Sequence, residues 1–292
     1  MNKYLRLLRT YQWYKNLLVF LPLVFAGLFL DGNLLFKTFL GFLSLCLVSS
    51  ANYIVNDIID VNKDRYHPEK KNRPIASGEI GIELAVFFGL ICLLISFFTA
   101  YKIDLLFLIA PIFLFLFNLI YSLWLKNEIF VDILAISINF VVRAVSGIFI
   151  IHRNISPWLI LCPFFLSLFI ASGKRKADLD VLGEDAYKHK EVLRYYSKEV
   201  SNFLMIITTS LLTISYSLYV FLSNHHLLFI SLPFAIYVIF RYSYLIYNGS
   251  EIARKPELFY KDKRLLIGIV LWVLMVLASL SPFSSNISRI LL

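Results

Sequence analysis

Stretches of about twenty mostly apolar residues recur from one end of this 292-residue chain to the other, and no other feature limits its fold so strictly. A stretch of that length crosses the hydrocarbon of a bilayer as a helix. Hydrocarbon offers the backbone no partners, so each crossing must satisfy its own N–H and C=O groups. The intervals between the runs are too short for a soluble domain of ordinary size. Composition agrees, with 59% of residues hydrophobic and only 16% charged. The expected fold class is all-α, a polytopic membrane protein with nine spans in a single transmembrane domain, 1–292.

The nine spans fall at 13–30, 38–58, 82–100, 103–123, 130–151, 156–173, 201–222, 227–247 and 265–282. Pro22, Pro111, Pro163 and Pro233 lie inside spans and would kink them, whereas Pro157 suits a first helical turn. Lysine and arginine set the orientation. Of the 28, 22 lie on the side of the amino terminus, against Lys37, Lys102, Arg153 and Arg289 opposite. Arg143 and Arg241 lie within spans. The amino terminus is therefore expected in the cytoplasm, in an inner (cytoplasmic) membrane. The net charge of +9 is this bias rather than a nucleic-acid footprint. Cys46, Cys92 and Cys162 sit in apolar runs and read as small core residues; neither they nor the five histidines show metal spacing. No small-residue cleavage site follows the first run, so no cleaved leader is expected.

Polar chemistry is concentrated in two islands. The first, "YIVNDIIDVNKDRYHPEKKNRPIASGEI" (53–80), follows span two. If the helix continues through it, Asp57, Asp60 and Asp64 stand at i, i+3 and i+7 on one face, with Asn56 four residues before Asp60. Acids crowded on one face repel unless a cation compensates. Mg²⁺ suits them: it takes oxygen ligands, one or two carboxylates plus substrate phosphates, and keeps several waters. Asn56, Asp57, Asp60 and Asp64 are thus the candidate metal ligands for a metal–diphosphate complex. Ordinary ion pairs with Lys63 and Arg65 at a solvated helix end are the alternative. Arg73 can fork two phosphate oxygens, and Lys70 and Lys71 add point charges.

The second island, "SGKRKADLDVLGEDAYKHKEVLRYYS" (172–197), follows span six. Spans two and six end on the same side, so the islands are expected to face a shared central cavity open to the cytoplasm. Lys174, Arg175 and Asp178 can serve a phosphate and a second metal there; a positive anchor with helix-surface ion pairs is the alternative. Asp180, Glu184 and Asp185 are weaker candidates. Lys15 and Asn16 open span one, where a snorkelling lysine is the bland account. Arg143 is a costly charge deep in span five and should face a polar cavity or a partner. Tyr121 and Lys126, at the end of span four, can line the same mouth. Trp13, Trp124 and Trp158 fit interfacial belts.

On these residues the chain resembles the UbiA superfamily of intramembrane prenyltransferases over nearly its whole length. "NDIIDVNKD" after span two and a polar island after span six carry the likeness. The second island lacks the Asp-rich DxxxD or DxxGD form of the aromatic prenyltransferases. "SGKRKADL" resembles instead the branch typified by decaprenyl-phosphate phosphoribosyltransferase, with Asp178 where that branch has glutamate. "QWYKNLLVFLPLVFAG", "DRYHPEKKNRPIASG", "YSLWLK", "VVRAVSG", "SPWLIL" and "EVLRYYS" are further marks of it.

The resemblance implies Mg²⁺-dependent transfer of a 5-phosphoribosyl group from phosphoribosyl diphosphate to a polyprenyl phosphate. It implies catalytic roles for Asp57, Asp60, Asp64 and Lys174. Lys15, Asn16, Asn56, Lys70, Arg73, Tyr121, Lys126, Arg143, Arg175 and Asp178 would bind substrate. The expected partners are the two substrates and the bilayer, with an oligomer allowed and no nucleic acid. An aromatic prenyltransferase shares the first island but would want an acid pair in the second. A lipid or ion transporter would scatter polar residues deep in several spans, whereas here they cluster at one mouth. The Asp-Gly-x-x-Ala-Arg pattern of CDP-alcohol phosphotransferases is absent.

Overall fold

A computed structural model of the chain describes residues 2–66, 70–183, 190–223 and 225–280. Glu184, Asp185 and Arg289 lie outside them. The described residues are helical throughout and resolve into two compact units. One comprises Met1–Leu23, Leu30–Glu128 and Val142–Ile155; the other comprises Val24–Phe29, Ile129–Val141 and Ser156–Leu292.

In the first unit α1 (Lys3–Leu7) leads into a 3-10 helix (Thr10–Phe20). The long helix α3 (Gly32–Ile59), the short α4 (Val61–Tyr66), α5 (Ile82–Ile103) and α6 (Leu105–Leu123) follow. Between the 3-10 helix and α3 lies α2 (Leu21–Phe25). Aspartates set the helix starts. Asp31 accepts from the N–H groups of Asn33 and Leu34, and Asp104 from those of Leu106 and Phe107, filling donors that a helix start leaves orphaned. Small residues let helices touch. Ser44 on α3 and Ser96 on α5, both fully buried, donate to each other's carbonyl oxygens at 2.9 and 2.8 Å. Val19, Leu45, Ala100, Phe107, Leu114 and Ile150 form the core.

The helix α7 (Val131–Ile151) gives its first half to the second unit and its last part to the first. The second unit continues with α8 (Pro157–Leu182), α9 (Lys198–Leu222), α10 (Leu232–Tyr247), α11 (Glu251–Arg254) and α12 (Lys263–Leu280). Pro157 opens α8 as expected, and Ser197 caps α9 through the Val200 N–H. Phe169, Met205, Leu212, Ile239 and Ile246 are central to its core. Large apolar side chains such as Leu94 (69% exposed) and Phe221 (71% exposed) are bare, as lipid-facing residues are.

Among the described residues eight helices are long and apolar enough to span a bilayer, and the chain is an integral membrane protein. They match expected spans two to nine. The stretch expected as the first span, 13–30, is not one long helix but the 3-10 run followed by α2. Pro22 removes a backbone donor within it, and Gly27 leaves helical space at φ +69°.

Candidate active site

The first island is built where α3 gives way to α4. Asp60 breaks the helix at φ −90°, ψ 3°, yet the backbone ladder persists across the break. The Asp60 N–H donates to the Asn56 carbonyl at 3.0 Å, and the Asp64 N–H to that of Asp60 at 2.8 Å. Asp57 and Asp64, two turns apart, therefore reach one place, as their spacing requires. They meet at Arg73: its Nη1 donates to Asp57 Oδ1 at 3.0 Å and to Asp64 Oδ2 at 2.5 Å. Arg73 is held by a tight turn in which the Ser77 N–H donates to the Arg73 carbonyl and Gly78 takes φ +79°. Ile75 and Ile80 of that turn are buried with Leu7, Ile54 and Ala85, which pins the loop and the amino terminus to α3.

Three features of this island were not expected. Arg9, far away in sequence, donates from Nη2 to Asp57 Oδ1 at 2.5 Å and lies 4.7 Å from the centre of the Tyr53 ring. Its backbone is left-handed at φ 48°, ψ 46°, costly for a residue with a Cβ, and that bend delivers the side chain. Burial, the largest influence, disfavours the Arg9 charge, but Asp57, Tyr11, Tyr53 and Asp64 together outweigh it and raise the pKa. Asp60, the third carboxylate, accepts instead from Lys126 Nζ, at 2.8 Å on both oxygens. Lys70 stands in the same field: burial, then Arg73 and Lys126, lower its pKa while Asp64 and Asp60 oppose.

Cations hold all three carboxylates, and among the described residues no group of three or more His, Cys, Asp or Glu is gathered to hold a metal. The donor set nonetheless fits a hard divalent ion. It is oxygen only, Asp57 and Asp64 are 3% and 2% exposed, and a positively charged nitrogen already sits between their oxygens. Asn56 is half-buried beside them.

The second island gathers around Asp132, a residue sequence reasoning passed over. Asp132 lies in the first turn of α7, fully buried, and accepts three hydrogen bonds. Arg175 Nε (2.9 Å) and Lys190 Nζ (2.8 Å) donate to Oδ2, and Tyr196 Oη donates to Oδ1 at 2.9 Å. Tyr196 Oη accepts in turn from the Phe130 N–H, and Phe130 is itself left-handed at φ 64°. Among the described residues, two of the three non-glycine positions with positive φ, Arg9 and Phe130, thus serve the two polar islands. Asp178 accepts from Arg254 at 3.0 Å, and Lys176 pairs with Asp180 at 3.0 Å. Lys174 is exposed. Burial lowers the Lys190 pKa to about 7, helped by Arg175 and Lys174 and opposed by Asp132.

Other expected residues lie elsewhere. Asn16 and Arg143 form a buried pair in the first unit, with Arg143 Nε donating to Asn16 Oδ1 at 2.8 Å. Asn16 also donates to Cys46 Sγ and accepts from Ser49, so it ties helices together. Lys15 donates to Gln12, and Tyr121 is half-buried on α6. Arg241 forks onto Asp262 at the start of α12. Asp132 did carry a signal, as a lone acid within an apolar run, which needs a buried partner. Arg9 carried none beyond its charge.

The UbiA prenyltransferase family model matches residues 19–261. The chain belongs to the UbiA family. Among its UbiA relatives, the protein from Mycolicibacterium smegmatis named decaprenyl-phosphate phosphoribosyltransferase is 30% identical over 291 residues, covering 92% of this chain and 89% of that one. The protein of the same name from Corynebacterium glutamicum is 32% identical over 233 residues, covering 76% of this chain and 68% of that one. A solved UbiA homolog from Archaeoglobus fulgidus, bound to GPP and Mg²⁺, superposes with a TM-score of 0.73 over 96% of this chain and 99% of its own. At 20% identity that likeness speaks for the fold alone.

Proposed function

We propose that this chain transfers a 5-phosphoribosyl group from phosphoribosyl diphosphate to a polyprenyl phosphate, releasing diphosphate, and that 1–292 acts as one domain. The observation that carries the reading is the likeness, along nearly the whole chain, to relatives named decaprenyl-phosphate phosphoribosyltransferase. The chemistry of the second island supports it. There Asp132 is engaged by Arg175 and Lys190, Asp178 by Arg254, and Asp180 by Lys176. With Lys174, Arg175 and Lys176 in a row where a paired-acid motif would stand, the island suits binding phosphate better than binding a second diphosphate metal.

Asn56, Asp57, Asp60 and Asp64 are the residues that would hold Mg²⁺, whose chemistry is to neutralise charge building on the departing diphosphate. Arg73 and Lys70 bind phosphate oxygens of the donor. Lys174 and Arg175, the latter steadied by Asp132, bind phosphate at the second island. The ribosyl carbon passes through an oxocarbenium-like state, as in glycosyl transfer generally. The acceptor phosphate is anionic at neutral pH, so no strong general base is needed. The excess of lysine and arginine on the amino-terminal side supports a cytoplasmic mouth in an inner membrane.

The test is incubation of the purified chain with Mg²⁺, polyprenyl phosphate and one of two labelled donors. These are phosphoribosyl diphosphate, and a prenyl diphosphate supplied with an aromatic acid. Label is expected in the lipid from the ribosyl donor alone. Label on the aromatic acid would overturn the assignment.

A further inference from the structure

The carboxylates assigned to the metal are also the carboxylates that two arginines hold, so metal and guanidinium compete for the same two side chains. Asp57 Oδ1 accepts from Arg9 Nη2 and from Arg73 Nη1, which fills the two lone pairs such an oxygen offers in plane. The same Arg73 nitrogen occupies Asp64 Oδ2. A metal therefore cannot join Asp57 Oδ1 unless a guanidinium leaves it. Nor can the guanidiniums simply leave, because Asp57 and Asp64 are almost wholly buried and would face one another uncompensated.

Charge sharpens the argument. Asp57, Asp64, Arg9 and Arg73 sum to zero, and Asp60 with Lys126 also sums to zero. Adding a bare divalent cation leaves this buried cluster with two excess positive charges. Adding the cation together with a diphosphate, whose negative charge exceeds the cation's positive charge, removes that excess, and it offers the displaced guanidiniums the oxygens they bind best, in bidentate pairs. Arg9 is well placed for the transfer. Its side chain is 12% exposed, stacked on Tyr53 rather than buried in the apolar core, and carried by a strained turn that fixes its position.

We infer that Arg9 and Arg73 are resident counter-ions of Asp57 and Asp64 that pass to the diphosphate as it enters with its metal, so that metal alone is kept out. Arg9, outside both islands, thereby becomes a diphosphate-binding residue of the site. The inference rests on reading the first island as a metal–diphosphate site.

The test is equilibrium dialysis of the full-length protein in detergent against Mn²⁺, with and without inorganic diphosphate, counting the metal bound to protein. Wild type should bind Mn²⁺ at least tenfold more tightly when diphosphate is present. Arg73→Met should bind Mn²⁺ alone about tenfold more tightly than wild type and lose most of the enhancement by diphosphate. Arg9→Met should change in the same direction, and its Tm should rise with Mn²⁺ alone, to which the wild-type Tm is indifferent. Either variant suffices if the other does not fold. Tight Mn²⁺ binding by wild type without diphosphate, or weaker metal-only binding in the variants, overturns the exchange while leaving the site assignment standing. Asp57→Asn separates the two, because undiminished diphosphate-dependent Mn²⁺ binding in that variant would sink the metal assignment itself.

Discussion

Replacing Asp132 by alanine tests whether one buried carboxylate organises the second island. The side chain is fully buried and accepts from Arg175, Lys190 and Tyr196 at 2.8–2.9 Å. The three partners respond differently to its loss. The Arg175 side chain, 6% exposed, would keep its longer 4.0 Å ion pair with Asp178 but lose its close one, and breaking a buried ion pair costs roughly 3–5 kcal/mol. Lys190 is 25% exposed and can turn to water or give up its proton, so it adds little. Tyr196 keeps the Phe130 N–H but loses its acceptor, about 1 kcal/mol. The expected loss is therefore about 4–6 kcal/mol, a large share of the roughly 5–15 kcal/mol that holds a typical protein together. Asp132→Asn, which keeps an acceptor oxygen but not the charge, should lose about half as much. The assay is equilibrium unfolding in mixed micelles followed by tryptophan fluorescence. Adding Arg175→Met to each background should reveal a coupling of about 1–3 kcal/mol between the pair. A loss below about 1 kcal/mol in Asp132→Ala, or no coupling to Arg175, would refute the reasoning.

Other expectations follow from the same structure. A Cβ on Gly147 would lie 2.1 Å from the Val19 carbonyl oxygen, so Gly147→Ala should destabilise the first unit by roughly 1–3 kcal/mol, seen as a lowered Tm in detergent. Lys190 has a folded-state pKa near 7, below the 10.5 of an unfolded lysine. The unfolded chain therefore binds more protons between those values, and stability should rise with pH across that window, by at most about 1.4 kcal/mol per pH unit. Lys190→Met should flatten that rise and leave the slope below pH 6 unchanged; parallel profiles from pH 7 to 9 would contradict it. Asp57→Asn and Asp60→Asn should each abolish turnover while the protein still inserts and folds, and undiminished turnover in both would remove their assigned role. Chelation with EDTA should stop the reaction, and Mg²⁺ should restore it; turnover that persists without divalent metal would count against the first island's role.

What could be read in the sequence was what depends on near neighbours along the chain. Apolar length settles helices in lipid, because hydrocarbon leaves the backbone no other way to satisfy its polar groups. The i, i+7 spacing likewise brought Asp57 and Asp64 together, since two helical turns return to one face. The first expected span is a 3-10 run and a short helix rather than one helix; Pro22 already signalled a kink there, whereas the left-handed turn at Gly27 could not be read from composition.

The choice of partners belonged to the tertiary structure. Asp57 takes Arg9 from 48 residues away, Asp60 takes Lys126 from 66, and Asp132 takes Arg175 from 43 and Tyr196 from 64. No local pattern selects among 28 basic residues for these three acids; only the packing of helices within each unit decides which charge is near enough to offset burial. The left-handed turns at Arg9 and Phe130 show the same limit, since neither residue favours that conformation and only surrounding contacts can hold it.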